Sequence, residues 1–379
     1  MIKVLNIISD SNIGGAGKCV LNFLKYYDRK KFAVKVVVPR GSLLKPEIEK
    51  LGTKVIEADG ITDKSFDLKA VKNLRKIISR SNPDIVHTHG SLSGRIAAKL
   101  CGKKIIYTRH SVFPVSRRIS HGFGKIANKT VNEFLSDEII AVAEAAKENL
   151  MEGGISPSKI KVVLNGVEPV FKYEEREILE AKKKYGVLDE NFVVSILARL
   201  EPYKGHIYIL EAAEILKDMG IPIKVIIAGT GSFEDEIKKL ITQKGLENEV
   251  LMAGFVNNVR ELLSITDVQA NASYGTEATS LSLLEGMSMG IPAVVSDFGG
   301  NPGVISNGEN GFVFPSKDSA SLAIDIKKLY DDKELYKNMS QRSKEIFSLK
   351  FTAEIYAENI EKVYTDVFEG GRQFGKEQI

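Results

Sequence analysis

Short runs of apolar and β-branched residues recur along the 379-residue chain, separated by longer stretches whose apolar positions have helical spacing. In the first half the runs predict strands at Lys3–Ile8, Ala33–Val38, Lys54–Glu57, Asp84–His87, Lys104–Tyr107, Glu138–Val142 and Ile160–Val163. In the second half they predict strands at Phe192–Leu197, Ile223–Ala228, Val250–Ala253, Asp267–Ala270, Ala293–Ser296 and Gly311–Phe314. Runs such as Val36-Val37-Val38 and Val225-Ile226-Ile227 show no in-and-out alternation. Strands buried on both faces look like this, and they belong to parallel sheets covered by helices. Strand and helix alternate through each half, which predicts an α/β protein of two doubly wound, Rossmann-like domains.

The length supports the same division, because 379 residues exceed what one hydrophobic core usually organises. The strand pattern breaks after Asn165-Gly166-Val167, in the charged stretch Pro169–Glu190. The domains are therefore expected at residues 1–171 and 172–350. Residues 351–379 should form a last helix near 352–368 and a disordered, Gly-rich tail at Glu369–Ile379.

Charge changes this picture. Residues 1–170 carry 29 Lys and Arg against 16 Asp and Glu, a net +13, while the remainder carry 24 against 33, a net −9. Either the first half meets something anionic, or two soluble domains attract each other. No zinc-finger spacing, aromatic RNA-binding signature or recognition-helix pattern is present, so nucleic acid is not the expected partner. Cys19 and Cys101 form no CxxC pair, which fits a reducing, cytoplasmic setting and neither a disulfide framework nor a zinc site. The apolar N-terminus stops at Ser9-Asp10, too short for a signal-peptide core, and no 18-residue apolar run exists to span a membrane.

Two glycine-rich loops follow predicted strands. Asn12-Ile13-Gly14-Gly15-Ala16-Gly17-Lys18 departs from a nucleoside-triphosphate loop, which needs Gly at position 12 and Ser or Thr at 19, where this chain has Asn12 and Cys19. Its GGxG spacing also misses the dinucleotide fingerprint, and the second strand ends at Val38-Pro39-Arg40 with no acid for a ribose. A bare glycine loop opening a helix remains. Its N–H groups either approach a diphosphate or simply make a tight turn. The second loop, Ala228-Gly229-Thr230-Gly231-Ser232, has the same two readings. Its mirror position predicts ligand binding in a cleft between two facing sets of strand ends.

The sharpest feature is Glu277-Ala278-Thr279-Ser280-Leu281-Ser282-Leu283-Leu284-Glu285. Thr279 and Ser280 are helix N-cap candidates, and Leu281, Leu284 and Met287 follow at helical spacing. Glu277 should lie in the loop and Glu285 one to two turns into the helix. Eight residues make two turns plus about 80°, so both acids can reach one ligand at different points. The N–H groups of Thr279–Leu281 would form a helix start suited to a diphosphate. Spacing alone equally allows a glycosidase pair, a metal site, or a capping and a solvated glutamate.

The segment Glu277–Glu285, continued by Gly290-Ile291-Pro292 and Gly299-Gly300, resembles the E-x7-E signature of the retaining nucleotide-sugar glycosyltransferases of family 4, which have the GT-B fold. Arg199 and Lys204 resemble the family's R-x4-K segment, Gly14, Gly15 and Gly17 its N-terminal glycine loop, and Asn165-Gly166-Val167 its interdomain segment. The resemblance implies that Glu277 contacts donor-sugar hydroxyls and Glu285 the ribose. It implies that Arg199 and Lys204 grip the diphosphate, with Gly229, Thr279, Ser280 and Leu281 beside it. It further implies that residues 172–350 bind the nucleotide-sugar and 1–171 the acceptor, and that neither a metal nor another cofactor takes part. Two departures stand out: Ala278-Thr279-Ser280 where members often carry Gly or Phe-Gly, and Gly303 where an acid often stands. A sugar-nucleotide epimerase of the same fold, and a binding protein without turnover, are the alternatives.

Five histidines complete the candidates. His87 and His89 share one strand face, where they line a cleft or sit as satisfied polar groups; no third ligand is spaced for a metal. His110, after the strand Lys104–Tyr107, resembles the family's catalytic-site histidine, which meets the donor sugar; its other reading is a structural loop residue. The stretch Pro114–Phe134 carries Arg117, Arg118, His121, Lys125 and Lys129, read either as a peripheral contact with anionic lipid headgroups or as a solvated helix face.

Overall fold

The computed structural model describes residues 1–61 and 66–373. It divides into two compact units, one of Met1–Val167 with the chain from Phe351 onward, the other of Glu168–Lys350.

The first unit holds a seven-stranded sheet: β1 (Ile2–Ile8), β2 (Phe32–Pro39), β3 (Lys54–Ala58), β4 (Ile85–His89), β5 (Lys104–Arg109), β6 (Glu138–Ala141) and β7 (Ile160–Val162). Its order is β3-β2-β1-β4-β5-β6-β7, parallel at every pairing. The second unit holds β8 (Phe192–Leu197), β9 (Ile223–Ala228), β10 (Val250–Gly254), β11 (Val268–Asn271), β12 (Ala293–Ser296) and β13 (Gly311–Phe314). Its order is β10-β9-β8-β11-β12-β13, again all parallel. Each predicted strand is present, displaced by at most two residues at either end. Val36–Val38 and Ile226–Ile227 are wholly buried, because helices cover both faces.

Each order reverses once, between β1 and β4 and between β8 and β11. The loops leaving those strand ends diverge, and ligands of open α/β sheets bind there.

The last helix, Ala353–Gln373, packs in the first unit, with Tyr364 edge-on to Phe23 and tilted against Phe32. Val167 N–H donates to Phe351 O and Ala353 N–H to Val167 O, so the two chain crossings lie side by side. A Cβ on Gly166 would overlap Thr352 O. The helix passes through Gly370-Gly371, where a disordered tail was expected to have begun. Each helical glycine costs roughly 1 kcal/mol, too little to stop a helix anchored by buried Tyr356, Ile360 and Tyr364. Residues 374–379 of that tail lie outside the described residues. Among the described residues no helix is long and apolar enough to cross a membrane.

Candidate active site

Two loops leave the switch point of the second unit, 198–205 after β8 and 272–280 after β11. Pro202–Lys204 form one 3-10 turn, closed by Lys204 N–H to Glu201 O and Gly205 N–H to Pro202 O. Gly205 has φ +74°, and a Cβ there would overlap Ala272 O. Glycine is what lets this turn lie directly on the exit of β11. Tyr274 N–H donates to Tyr203 O (2.9 Å), a second tie between the loops.

The crossing brings two predicted residues together. Lys204 Nζ lies 2.8 Å from Glu277 Oε2, with the side chains only 12% and 9% exposed. Lys204 also donates to Thr276 O (3.2 Å). Asn271 Nδ2 and Ser273 Oγ each donate to the same Oε2 at 3.2 Å, while Oε1 carries none of these bonds. From behind, Gly300 N–H donates to Glu277 O (3.0 Å). A Cβ on Gly300 would overlap Ala278 O.

The helix after this loop is Leu281–Met289, with Ser280 as its N-cap residue in extended conformation. Ser280 Oγ pairs with Ser282 Oγ (2.9 Å) and does not cap the first turn. The amides of Leu281–Leu283, rather than Thr279–Leu281, are therefore the helix-start donors. Ser282 Oγ donates to Leu197 O (3.1 Å) and pins the helix start to the end of β8. Arg199, two residues on, is exposed, and its Nη2 donates to Tyr203 Oη (3.1 Å). Glu285 lies one turn into the helix and is partly buried.

The glycine loops serve packing more than expected. Gly229 N–H is already given to Gly254 O (2.7 Å), and its Cβ would overlap Ala198 O. In the first unit Gly14 is the N-cap residue of the helix Gly15–Tyr26. A Cβ on Gly17 would press Leu44 Cδ2 at 2.8 Å, so Gly17 is a packing contact; one on Gly15 would meet nothing within 4 Å.

The histidines form a chain in the first unit. His87 Nδ1 meets Tyr364 Oη (2.8 Å) and its Nε2 meets Thr108 Oγ1 (2.6 Å). His89 Nε2 meets Asn6 Oδ1 (3.0 Å) and its Nδ1 meets His110 Nε2 (2.8 Å). With Asn6 Oδ1 accepting, His89 carries its proton on Nε2, and its Nδ1 accepts from His110 Nε2–H. His110 then keeps Nδ1 as an acceptor. Burial pushes the pKa of His87 down to about 3 and of His110 to about 4, and that of His89 well below its ordinary value. Among the described residues no group of three or more His, Cys, Asp or Glu side chains is placed to hold a metal ion.

Residues that sequence reasoning missed are Asn271 and Ser273, which orient Glu277; their only signal was a polar exit from an apolar strand.

Comparison with known proteins follows the same two-part division. Residues 13–171 match the family model described as Glycosyltransferase Family 4, and residues 177–346 that described as Glycosyl transferases group 1. The chain is 31% identical over 287 residues to the UDP-Gal:alpha-D-GlcNAc-diphosphoundecaprenol alpha-1,3-galactosyltransferase of Escherichia coli, covering 71% of this chain and 72% of that one. It is 26% identical over 310 residues to the N-acetyl-alpha-D-glucosaminyl L-malate synthase of Bacillus anthracis, covering 80% of each. Its fold matches the crystal structure of Anabaena HepE in complex with UDP and glucose with a TM-score of 0.81, at 21% identity over 96% of this chain and 100% of that one.

Proposed function

From the premise that this chain belongs to family 4 of the glycosyltransferases, we propose that it transfers a hexosyl unit from a nucleotide-diphosphate sugar to an acceptor hydroxyl, retaining the α configuration. The observation that carries this reading is the buried Lys204–Glu277 pair beside a helix start at the switch point of the second unit.

The donor diphosphate would rest at the start of the Leu281–Met289 helix, where amides and the helix dipole favour an anion. Arg199, exposed beside it, supplies a planar fork for phosphate oxygens. Lys204 adds charge that offsets what builds on the leaving diphosphate. Glu285 would take the ribose hydroxyls, and the open Oε1 of Glu277 a sugar hydroxyl. Because three donors hold Oε2, Glu277 orients the sugar and does not attack it. The acceptor oxygen bonds to the anomeric carbon on the face from which the diphosphate departs, and a leaving phosphate oxygen takes the acceptor proton. Positioning and electrostatics supply the acceleration, with no metal required.

Uridine is the nucleotide to test first, since one relative is named for UDP-Gal and one structural neighbour holds UDP. The first unit would receive the acceptor, with His110 Nδ1 as acceptor for a sugar hydroxyl. We place it in cell-envelope polysaccharide or glycoconjugate synthesis, a reading supported by the diphosphoundecaprenol-linked substrate in that relative's name.

We place peripheral membrane contact on the helix Gly122–Phe134, which has no buried residue. Phe123, Ile126 and Phe134 are 85%, 62% and 62% exposed on one face, with Arg117, Arg118 and Lys129 exposed nearby. Apolar side chains beside cations suit an anionic bilayer surface.

The test is incubation with UDP-, GDP- and ADP-hexoses and candidate lipid-linked and soluble acceptors, read by mass spectrometry and anomeric NMR couplings. An α-linked product from one donor is expected. Isomerised donor without product, or a β-linked product, would overturn the proposal.

A further inference from the structure

Beside the helix Gly122–Phe134 the first unit contains a cavity of about 450 Å³, lined by two arginines, Arg95 and Arg109. Arg95, on the helix Leu92–Leu100, is only 6% exposed. Its guanidinium donates from Nη1 to Asn132 Oδ1 (2.8 Å), and its Nε–H is buried with no acceptor among the described residues. Its guanidinium stacks 4.3 Å from the Tyr107 ring centroid. Arg109 donates from Nε to Ser111 O (2.9 Å) and from Nη2 to Asn149 Oδ1 (3.4 Å). Among the described residues no carboxylate pairs with either arginine.

Buried guanidinium groups normally face an acid, because an unpaired charge away from water is unfavourable. Here buried Arg95 and half-buried Arg109 meet side-chain amides, a backbone carbonyl and aromatic rings, which leave Arg95 Nε–H without an acceptor and neither charge opposite an acid. Burial, and then the charge of Arg109, lower the pKa of Arg95 from its ordinary value. Two guanidinium forks in one cavity match the charge and oxygen spacing of a phosphoryl group better than those of a single carboxylate. Phe113 and Ile119 also line the cavity, so an apolar chain attached to that group has a surface to follow.

We propose that this cavity binds a phosphoryl or diphosphoryl group carried by the acceptor substrate, an inference that rests on the transferase reading for its assignment to the acceptor. That group has two sources, a polyprenyl diphosphate or a soluble sugar phosphate, and the oxyanion chemistry is common to both.

Calorimetric titration of the full chain with inorganic pyrophosphate, farnesyl diphosphate and malate tests it, with Arg95→Met, Arg109→Met and Lys204→Met alongside wild type. Pyrophosphate binding should persist in Lys204→Met, whose donor site in the second unit is impaired, and should weaken tenfold or more when Arg95→Met or Arg109→Met is added to it. If Arg95→Met does not fold, Arg109→Met, less buried, carries the comparison. Tighter binding of farnesyl diphosphate than of pyrophosphate identifies a lipid-linked acceptor, and equal binding a soluble one; both uphold the site. No diphosphate binding, binding indifferent to both arginines, or binding of malate alone would overturn it. Donor binding and transfer without an arginine-dependent anion site defeat this proposal alone. An arginine-dependent site without transfer to any acceptor defeats the transferase reading alone.

Discussion

Lys204 and Glu277 meet at 2.8 Å across two loops that leave adjacent strands, 73 residues apart in sequence and almost closed to solvent. Removing the lysine strands a buried carboxylate, a change that costs about 3–5 kcal/mol in comparable pairs. Lys204→Met should lose stability on that scale by denaturant titration, and Lys204→Met/Glu277→Gln should recover part of it. Transfer should fall by roughly 100-fold or more in both, as when a charge-stabilising donor is lost. Equal stability of the single and double variants would show that the pair does not hold the loops.

The Gly299-Gly300 turn supplies an independent probe of the same loop. Gly300→Ala forces a methyl into Ala278 O, whereas Gly303→Ala meets nothing within 4 Å. Overpacking of this kind costs about 1–3 kcal/mol. Gly300→Ala should melt several degrees lower and turn over more slowly, with Gly303→Ala close to wild type. Identical melting curves would contradict the close approach.

The histidine chain makes a pH prediction. Folding depresses the pKa of His87 to about 3 and of His110 to about 4, from an ordinary value of about 6.5. These rings stay neutral in the folded chain, so the unfolded chain binds more protons below pH ~6.5. Their contribution is complete above that pH and is lost as pH falls toward 4. Melting temperature should decline over that window, less steeply in His87→Gln; a flat profile would argue against buried neutral rings.

For the membrane-facing helix, co-sedimentation with phosphatidylglycerol vesicles should retain the wild-type chain and release Phe123→Ser/Phe134→Ser. Higher salt should weaken the wild-type interaction, because exposed cations are screened within about a Debye length. Retention of the double variant at wild-type level would remove this helix from the contact.

Much of the fold was legible because strands buried on both faces leave unbroken runs, as at Val36–Val38, that no surface element imitates. Glu277, Glu285, Arg199 and Lys204 stood out in the sequence only through family resemblance, and of the four the structure pairs Lys204 with Glu277. That pairing was not legible, since nothing local links residues so far apart. Ser280, one of the two N-cap candidates, is the N-cap residue, so the helix-start donors lie two residues later than Thr279–Leu281. Gly229 could be read as a ligand loop or a tight turn, and its amide closes onto Gly254, a tertiary fact. Nothing in the sequence singles out Arg95, and only the packing of Asn132 and Tyr107 around it shows it to be buried. Asn271 and Ser273 likewise gained meaning from the third dimension.

Whether the loops that Lys204 and Glu277 join hold a nucleotide-diphosphate sugar in the second unit decides the proposed function. Isothermal titration of UDP, GDP and ADP hexoses into wild type and Lys204→Met tests it most directly. Saturable binding of one nucleotide class is expected, weakened at least tenfold by Lys204→Met in a chain still folded at the titration temperature. Binding of equal strength in the two proteins, or no binding of any of the three classes, would contradict it.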